Sequence, residues 1–175
     1  YPTETVYGLG VNPFSAAAVA RLFALKGREA AKPVLLVVAD EGQLLEVVEE
    51  ISDGARLYIQ RFWPGPLSLL FRKSRVLPQS LTAGQEKVAV RCPNSMLARE
   101  LCRVVGHAIT SSSANRSGDA PARSLREITL EHIDIGIDGG DLPLRLPSTV
   151  FDPDEGTVLR EGAISGDELR GFQSR

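Results

Sequence analysis

An α/β domain around one twisted, mixed sheet is the fold this sequence predicts, and three observations predict it. Short apolar, β-rich runs alternate along the chain with segments whose apolar residues recur at helical spacing. Glycine, proline and Asp-Gly punctuation separates nearly every pair of such segments. At 175 residues and 43% hydrophobic content the chain can bury one substantial core, so residues 1–175 read as a single domain.

The elements follow in order. Val19, Leu22 and Phe23 share a helical face, Ser15 is a plausible N-cap, and continuing the period turns Lys26 inward. Residues 34–38 form a continuous apolar strand of the kind buried on both faces. A helix over 43–51, with Leu44, Leu45 and Val48 at helical spacing, is broken by Ser52-Asp53-Gly54. Ser52 or Asp53 then caps a second helix reaching about Phe62. Trp63-Pro64-Gly65-Pro66 turns the chain into a strand over 67–71, and 72–85 reads as a loop or lid. Residues 87–92 alternate in character and end in Arg91 and Cys92. From Asn94 or Ser95 a helix carries Leu97, Leu101 and Val104, with Gly106 as its C-cap. Val104 and Val105 also begin an apolar run with Ala108 and Ile109 that reads as a strand. A short helix over 125–132 and strands over 133–137, 148–152 and 157–160 follow, with turns at Asp138-Gly139-Gly140 and Asp154-Glu155-Gly156. Residues 166–175 read as a polar tail.

Composition narrows the function classes. A net charge of −2 gives no global attraction for nucleic acid, so an RNA contact requires a local basic patch. No run is long enough to span a membrane, and no secretory h-region is present in these residues. Cys92 and Cys102 lie in apolar segments and read as reduced core residues of a cytosolic protein. His107 and His132 are too few and too scattered for a zinc site, and no metal-ligating cluster is expected.

Three segments carry chemistry. Residues 111–118, Ser-Ser-Ser-Ala-Asn-Arg-Ser-Gly, place hydroxyls and backbone N–H groups at a strand end, where they can wrap an anion or a sugar or simply turn the chain. The opening decapeptide holds Thr3, Glu4, Thr5, Gly8 and Gly10. Thr3 and Thr5 share a side if extended, and the glycines permit close backbone approach; a strand running into a turn is the alternative. Lys26, Arg28 and Lys32 gather three cations around one turn with Glu29 as the nearest acid in sequence. That suits a polyphosphate or carboxylate ligand, or else a solvated basic helix end.

Together these segments resemble the YrdC/Sua5 family, the L-threonylcarbamoyladenylate synthases. The opening is similar to the family's PTETVYGLG signature, Lys26-Gly27-Arg28 to its KxR motif, and Ser113-Ala114-Asn115 to its SxN motif. Trp63-Pro-Gly-Pro66, Val88-Ala-Val-Arg91, Pro147-Ser-Thr-Val150 and Leu159-Arg160 extend the match, in order, over nearly the whole chain. Family members carry a helix and a strand before the first motif, so a segment is expected ahead of Tyr1. The resemblance implies an open α/β fold with a deep concave cavity, of the short, single-domain bacterial type.

It also implies a reaction: L-threonine, bicarbonate or CO2, and ATP give threonylcarbamoyl-AMP and pyrophosphate. Magnesium accompanies the ATP, held mainly by phosphates and water. The product would pass in the cytoplasm to a separate transferase complex modifying adenosine-37 of tRNA, with a possible RNA contact. Residue by residue, Lys26 and Arg28 are implied as catalytic and triphosphate-binding, with Lys32 nearby. Ser113, Asn115 and Arg160 are implied to hold the nucleotide, and Thr3, Arg91 and Ser148 the threonine. Glu4 is open between magnesium, the threonine ammonium and holding Lys26 or Arg28. Tyr7 and Trp63 read as wall or core, and Arg116 as substrate-facing or solvated. Two other functions compete: a carbamoyl-AMP-forming domain of a carbamoyltransferase, and a non-catalytic double-stranded RNA or tRNA-binding module. Lys26→Ala or Arg28→Ala is expected to lower the rate by on the order of 10²–10³-fold, measured as initial velocity of pyrophosphate release.

Overall fold

The computed structural model describes residues 1–27, 33–116 and 118–173. In chain order the elements are β1 (Gly8–Leu9), α1 (Ala16–Lys26), β2 (Leu36–Val37), α2 (Glu41–Val47), α3 (Asp53–Phe62), β3 (Leu67–Arg72), β4 (Lys87–Arg91), α4 (Met96–Val105), β5 (Ile109–Thr110), β6 (Ser112–Ser113), β7 (Thr149–Asp152), β8 (Thr157–Arg160) and α5 (Gly166–Gln173). Among the described residues six strands form a mixed sheet in the order β5-β2-β4-β3-β7-β8, and β1 pairs with β6 in a separate ribbon. β2/β4 and β3/β7 are parallel, while β2/β5, β3/β4 and β7/β8 are antiparallel.

Local chemistry sets the helix starts. Ser15, Asp40, Ser52 and Ser95 each accept a hydrogen bond from the backbone N–H three residues on, meeting one of the donors a helix start leaves unpaired. Gly27 and Gly106 end α1 and α4 in the left-handed conformation, where glycine carries no Cβ penalty. One face of the sheet packs Leu67, Leu69, Phe71, Val88, Val90 and Phe151 into the main core. Tyr58 of α3 lies 4.8 Å from the Phe151 ring and 5.4 Å from Phe172 of α5. Its hydroxyl donates to the Leu169 carbonyl at 3.2 Å, so one tyrosine joins two helices to the sheet.

Several expectations are corrected. α2 starts earlier, at Glu41, because Asp40 caps it, and it stops at Val47 because Val48 bridges to Lys73 beside β3. The strand expected over 34–38 is confined to Leu36–Val37, although Val34 and Val38 still donate to the Leu81 and Arg91 carbonyls. Val104 and Val105 belong to α4, not to a strand, and Val104 is 77% exposed; the helix turns Ala98 and Cys102 inward instead. The helix expected over 125–132 is one 3-10 turn, Leu125–Glu127, and His132 adopts a left-handed φ of 59° that no continuing helix allows. Residues 133–137 make no strand and Ile135 is exposed; Arg21 instead ties this stretch down through Asp134 and the His132 carbonyl. The polar tail is helix α5, with Leu169 and Phe172 turned toward Tyr58.

Cys92 and Cys102 are buried free thiols. Burial pushes both up, Cys102 to about 12. Neither should therefore present a thiolate at pH 8, and iodoacetamide should label them only after unfolding, as followed by mass spectrometry with and without denaturant.

Candidate active site

The sheet's second face is the floor of a cavity of about 860 Å³. Strand alternation builds it: Lys87, Ala89 and Arg91 of β4 face the cavity while Val88 and Val90 face the core. Leu70 of β3, Ser148 and Val150 at β7, and Leu159 and Arg160 of β8 complete the floor. The opening segment contributes Thr3, Thr5, Val6 and Gly8 to the wall, and Ser111, Ser112 and Ser113 add the loop that pairs with β1. Thr3, Arg91, Ser113, Ser148 and Arg160, expected to act together, thus line one space although they come from separate segments.

Arg91 is the anchor of that space. It is 3% exposed, and two segments distant in sequence, the opening turn and the bend at Gly65, converge on its guanidinium. Its Nε donates to the Gly65 carbonyl at 2.9 Å, Nη1 to Thr5 Oγ1 at 3.3 Å, and Nη2 lies 2.5 Å from Glu4 Oε1. Glu4 Oε1 also accepts from the Asn94 N–H at 2.7 Å. Glu4 therefore holds Arg91 and ties the opening turn to the approach of α4. Gly65 is required where it stands, because a Cβ there would lie 2.2 Å from the Phe62 carbonyl oxygen.

Thr3 has a more local task. Its hydroxyl donates to the Val6 carbonyl at 2.7 Å and accepts from the Thr5 and Val6 N–H groups at 3.2 Å each. The opening is a turn, not an extended strand, yet the two threonine hydroxyls do meet, at 3.0 Å. Gly8 makes room for a side chain as well as a ligand: a Cβ there would sit 3.2 Å from the Tyr1 ring.

Lys26 is turned inward as its helical phase requires, and is 4% exposed. Its Nζ donates to the Ser113 carbonyl and, at 2.9 Å, to the Asn115 carbonyl. It thus grips the Ser-Ala-Asn loop from behind and does not line the cavity surface. Asn115 donates to the Arg116 and Asp119 carbonyls at 2.9 and 2.7 Å, and its buried Oδ1 has no partner among the described residues. Arg28 and Lys32 lie outside the described residues. Tyr7 is fully buried and bonds the Gly140 carbonyl at 2.8 Å; Trp63 donates to the Leu67 carbonyl at 2.7 Å and packs on Phe71. Both therefore serve as core, and neither lines the cavity. Arg116 is exposed.

The charged lining of the cavity is entirely cationic among the described residues: Lys87, Arg91, Arg123, Arg145 and Arg160. Burial, and next the positive charge of Arg91, hold the Arg160 guanidinium below its ordinary value. Two guanidiniums that repel across a cavity favour an anion there. Burial also pulls Lys87 down, but its bonds to Asp152 and Glu155 outweigh that and leave it raised. Arg123 and Arg145 make no ion pair among the described residues. Sequence reasoning missed them, since lone loop arginines carry no periodic signal; it missed Lys87 too, although the alternation of that strand places it on the same side as Arg91. A second cavity, about 510 Å³ between α1, α4 and residues 133–137, is mainly apolar, and its Arg21 and Asp134 neutralise each other at 2.9 Å.

A protein-family model, Sua5/YciO/YrdC, described as telomere recombination, matches residues 1–162. The chain belongs to the Sua5/YciO/YrdC family. It is 38% identical over 174 residues to the threonylcarbamoyl-AMP synthase of Pyrococcus abyssi, covering 97% of this chain and 51% of that protein. It is 40% identical over 163 residues to the threonylcarbamoyl-AMP synthase of Thiobacillus denitrificans, covering 91% of this chain and 86% of the relative. The chain thus spans about half the length of the Pyrococcus protein and most of the Thiobacillus one. Among solved structures, P. abyssi Sua5 complexed with L-threonine superposes with a TM-score of 0.90 at 38% identity, over 98% of this chain and 52% of that one. Escherichia coli YciO superposes with a TM-score of 0.78 at 23% identity and supports the fold.

Replacing Glu4 with Gln leaves the Arg91 charge buried without its carboxylate. The expected loss is about 3 kcal/mol of stability, read as a lowered midpoint of urea unfolding with an unchanged slope.

Proposed function

We propose that this chain is a threonylcarbamoyl-AMP synthase that condenses L-threonine, bicarbonate or CO2, and ATP with release of pyrophosphate. One observation carries the reading: residues from five separate segments meet in a cavity whose charged lining is wholly cationic among the described residues. A triphosphate and an amino-acid carboxylate are the anions such a lining suits, and the relatives' names point to the same chemistry.

In chemical terms the threonine amine adds to CO2 and loses a proton to give a carbamate. A carbamate oxygen then attacks the α-phosphorus, and the bond to the bridging oxygen breaks to release pyrophosphate. The protein's part is to position the reactants and meet developing charge, because phosphoryl-type transfer asks for little else. Arg91 and Arg160 offer fixed positive charge on the floor, and Ser148 and Thr5 hydroxyls beside them orient the amino acid. The Ser113–Asn115 loop, held by Lys26, presents its outward groups to the nucleotide, with Arg28 and Lys32, near Lys26 in sequence, as further cations for the triphosphate. Arg123 and Arg145 add charge facing the remaining phosphates.

The cavity's charged lining includes no carboxylate, and no group of three metal-ligating side chains occurs among the described residues. That donor set fits magnesium carried by the triphosphate and water, its charge offsetting that of the phosphates, with no protein cage. No helix among the described residues is long and apolar enough to cross a membrane. We place the reaction in the cytoplasm, ahead of a separate transferase complex acting on adenosine-37 of tRNA.

Pyrophosphate release should require ATP, L-threonine and bicarbonate together, measured with each omitted in turn. Turnover on carbamoyl phosphate without threonine, or tight salt-sensitive RNA binding with no release, would replace the proposal.

A further inference from the structure

A buried pair of serine hydroxyls gives the cavity floor a hydrogen-bond direction. Ser68 of β3 is fully buried on the cavity-facing side of the sheet, two residues before Leu70. Among the described residues its Oγ has one partner, Ser148 Oγ, at 2.8 Å. Ser148 precedes β7, which pairs in parallel with β3, and the residue lines the cavity. Ser148 Oγ also accepts from Arg160 Nη2 at 3.1 Å. The same guanidinium holds the Ser148 carbonyl at 2.8 Å from Nη2 and 3.2 Å from Nε, so its orientation is fixed twice over.

Counting protons settles who donates. A hydroxyl has one proton and two lone pairs, and a guanidinium only donates. The Ser68 proton meets one acceptor, Ser148 Oγ, and a buried donor without an acceptor is costly. Ser68 therefore donates to Ser148. With Arg160 donating as well, both lone pairs of Ser148 Oγ are occupied and only its own proton is left for a ligand. Hydrogen positions here follow from the network, as they do for any hydroxyl rotor.

We infer that Ser68 is a positioning residue that makes the Ser148 hydroxyl donor-only, so that the corner formed by Ser148 and Arg160 takes a carboxylate oxygen of the amino-acid substrate and excludes its amine. An ammonium there would find no free lone pair on Ser148 and would face the positive charge of Arg160. The ligand's identity rests on the synthase reading; the direction of the hydroxyl chain does not. The inference also orients the substrate, because a carboxylate in this corner points the amine, which must be carboxylated, away from it.

A double-mutant cycle tests it: Ser68→Ala, Ser148→Ala and the pair, with Ser68→Thr as the conservative control. Two readouts are calorimetric affinity for L-threonine and the thermal midpoint. Ser68→Ala should weaken L-threonine about 3- to 10-fold, leave ATP affinity unchanged, and lose its effect on L-threoninol, which lacks the carboxylate. Ser68→Thr should retain affinity. On a Ser148→Ala background, Ser68→Ala should not weaken L-threonine further, and should hold or raise the midpoint because it removes the orphaned donor. Equal losses for L-threonine and ATP, or a Ser68 effect of the same size with and without Ser148, overturn the inference. Should the wild-type chain bind no L-threonine, the synthase reading falls. The midpoint cycle then decides the hydroxyl chain: compensating changes support it and additive losses overturn it.

Discussion

The ion pair between Arg91 and Glu4 is the contact on which the rest of the site depends. A guanidinium buried at the end of β4 is tolerable only if its charge is met, and two segments distant in sequence surround it. Glu4 brings the opening turn, Thr5 adds a hydroxyl from the same turn, and Gly65 supplies a carbonyl from the Trp-Pro-Gly-Pro bend. Remove that hub and the cavity loses one wall and the geometry of its floor. Arg160 senses the positive charge of Arg91 across the floor, an effect second to its own burial.

Cations elsewhere in the site are managed in graded fashion. Lys87 is matched by two carboxylates, Arg160 spends its donors on Ser148, and Lys26 is turned onto loop carbonyls. Arg123 and Arg145 are left exposed to water, where holding charge is cheap. The two buried cations among the described residues, Lys26 and Arg91, are each held by more than one protein group, which keeps the fold stable before any ligand arrives. A ligand anion then competes with ordered partners on the floor but with water at the rim.

Much of this was legible in the sequence, and the parts that were not share a physical cause. Serine caps, glycine stops and the inward phase of Lys26 are local signals, so α1, α3 and α4 stand close to where their residues put them. The convergence of Thr3, Arg91, Ser113, Ser148 and Arg160 was legible only through family resemblance, since no local pattern encodes contacts between residues so far apart. Residues 125–137 were misread because apolar spacing was taken as periodicity, when Ile133 and Ile137 are only partly buried and Arg21 supplies the tether. Helix α5 was missed because a polar composition hid Leu169 and Phe172, three residues apart on the face that meets Tyr58. Ser68 gave no signal at all, for its meaning lies in having no other acceptor around it among the described residues.

The two-sided use of β4 sets a rule of a different kind. Its five residues are committed alternately to cavity and core, Lys87, Ala89 and Arg91 against Val88 and Val90. A strand read in twos has something like a reading frame, and adding or deleting one residue would exchange the two messages, sending arginine into the core and valine to the cavity. Change in this strand is thereby restricted to substitution in place, while length variation is diverted to connections such as 133–147 that carry no such frame. Over time such a protein would drift in outline and stay fixed in phase.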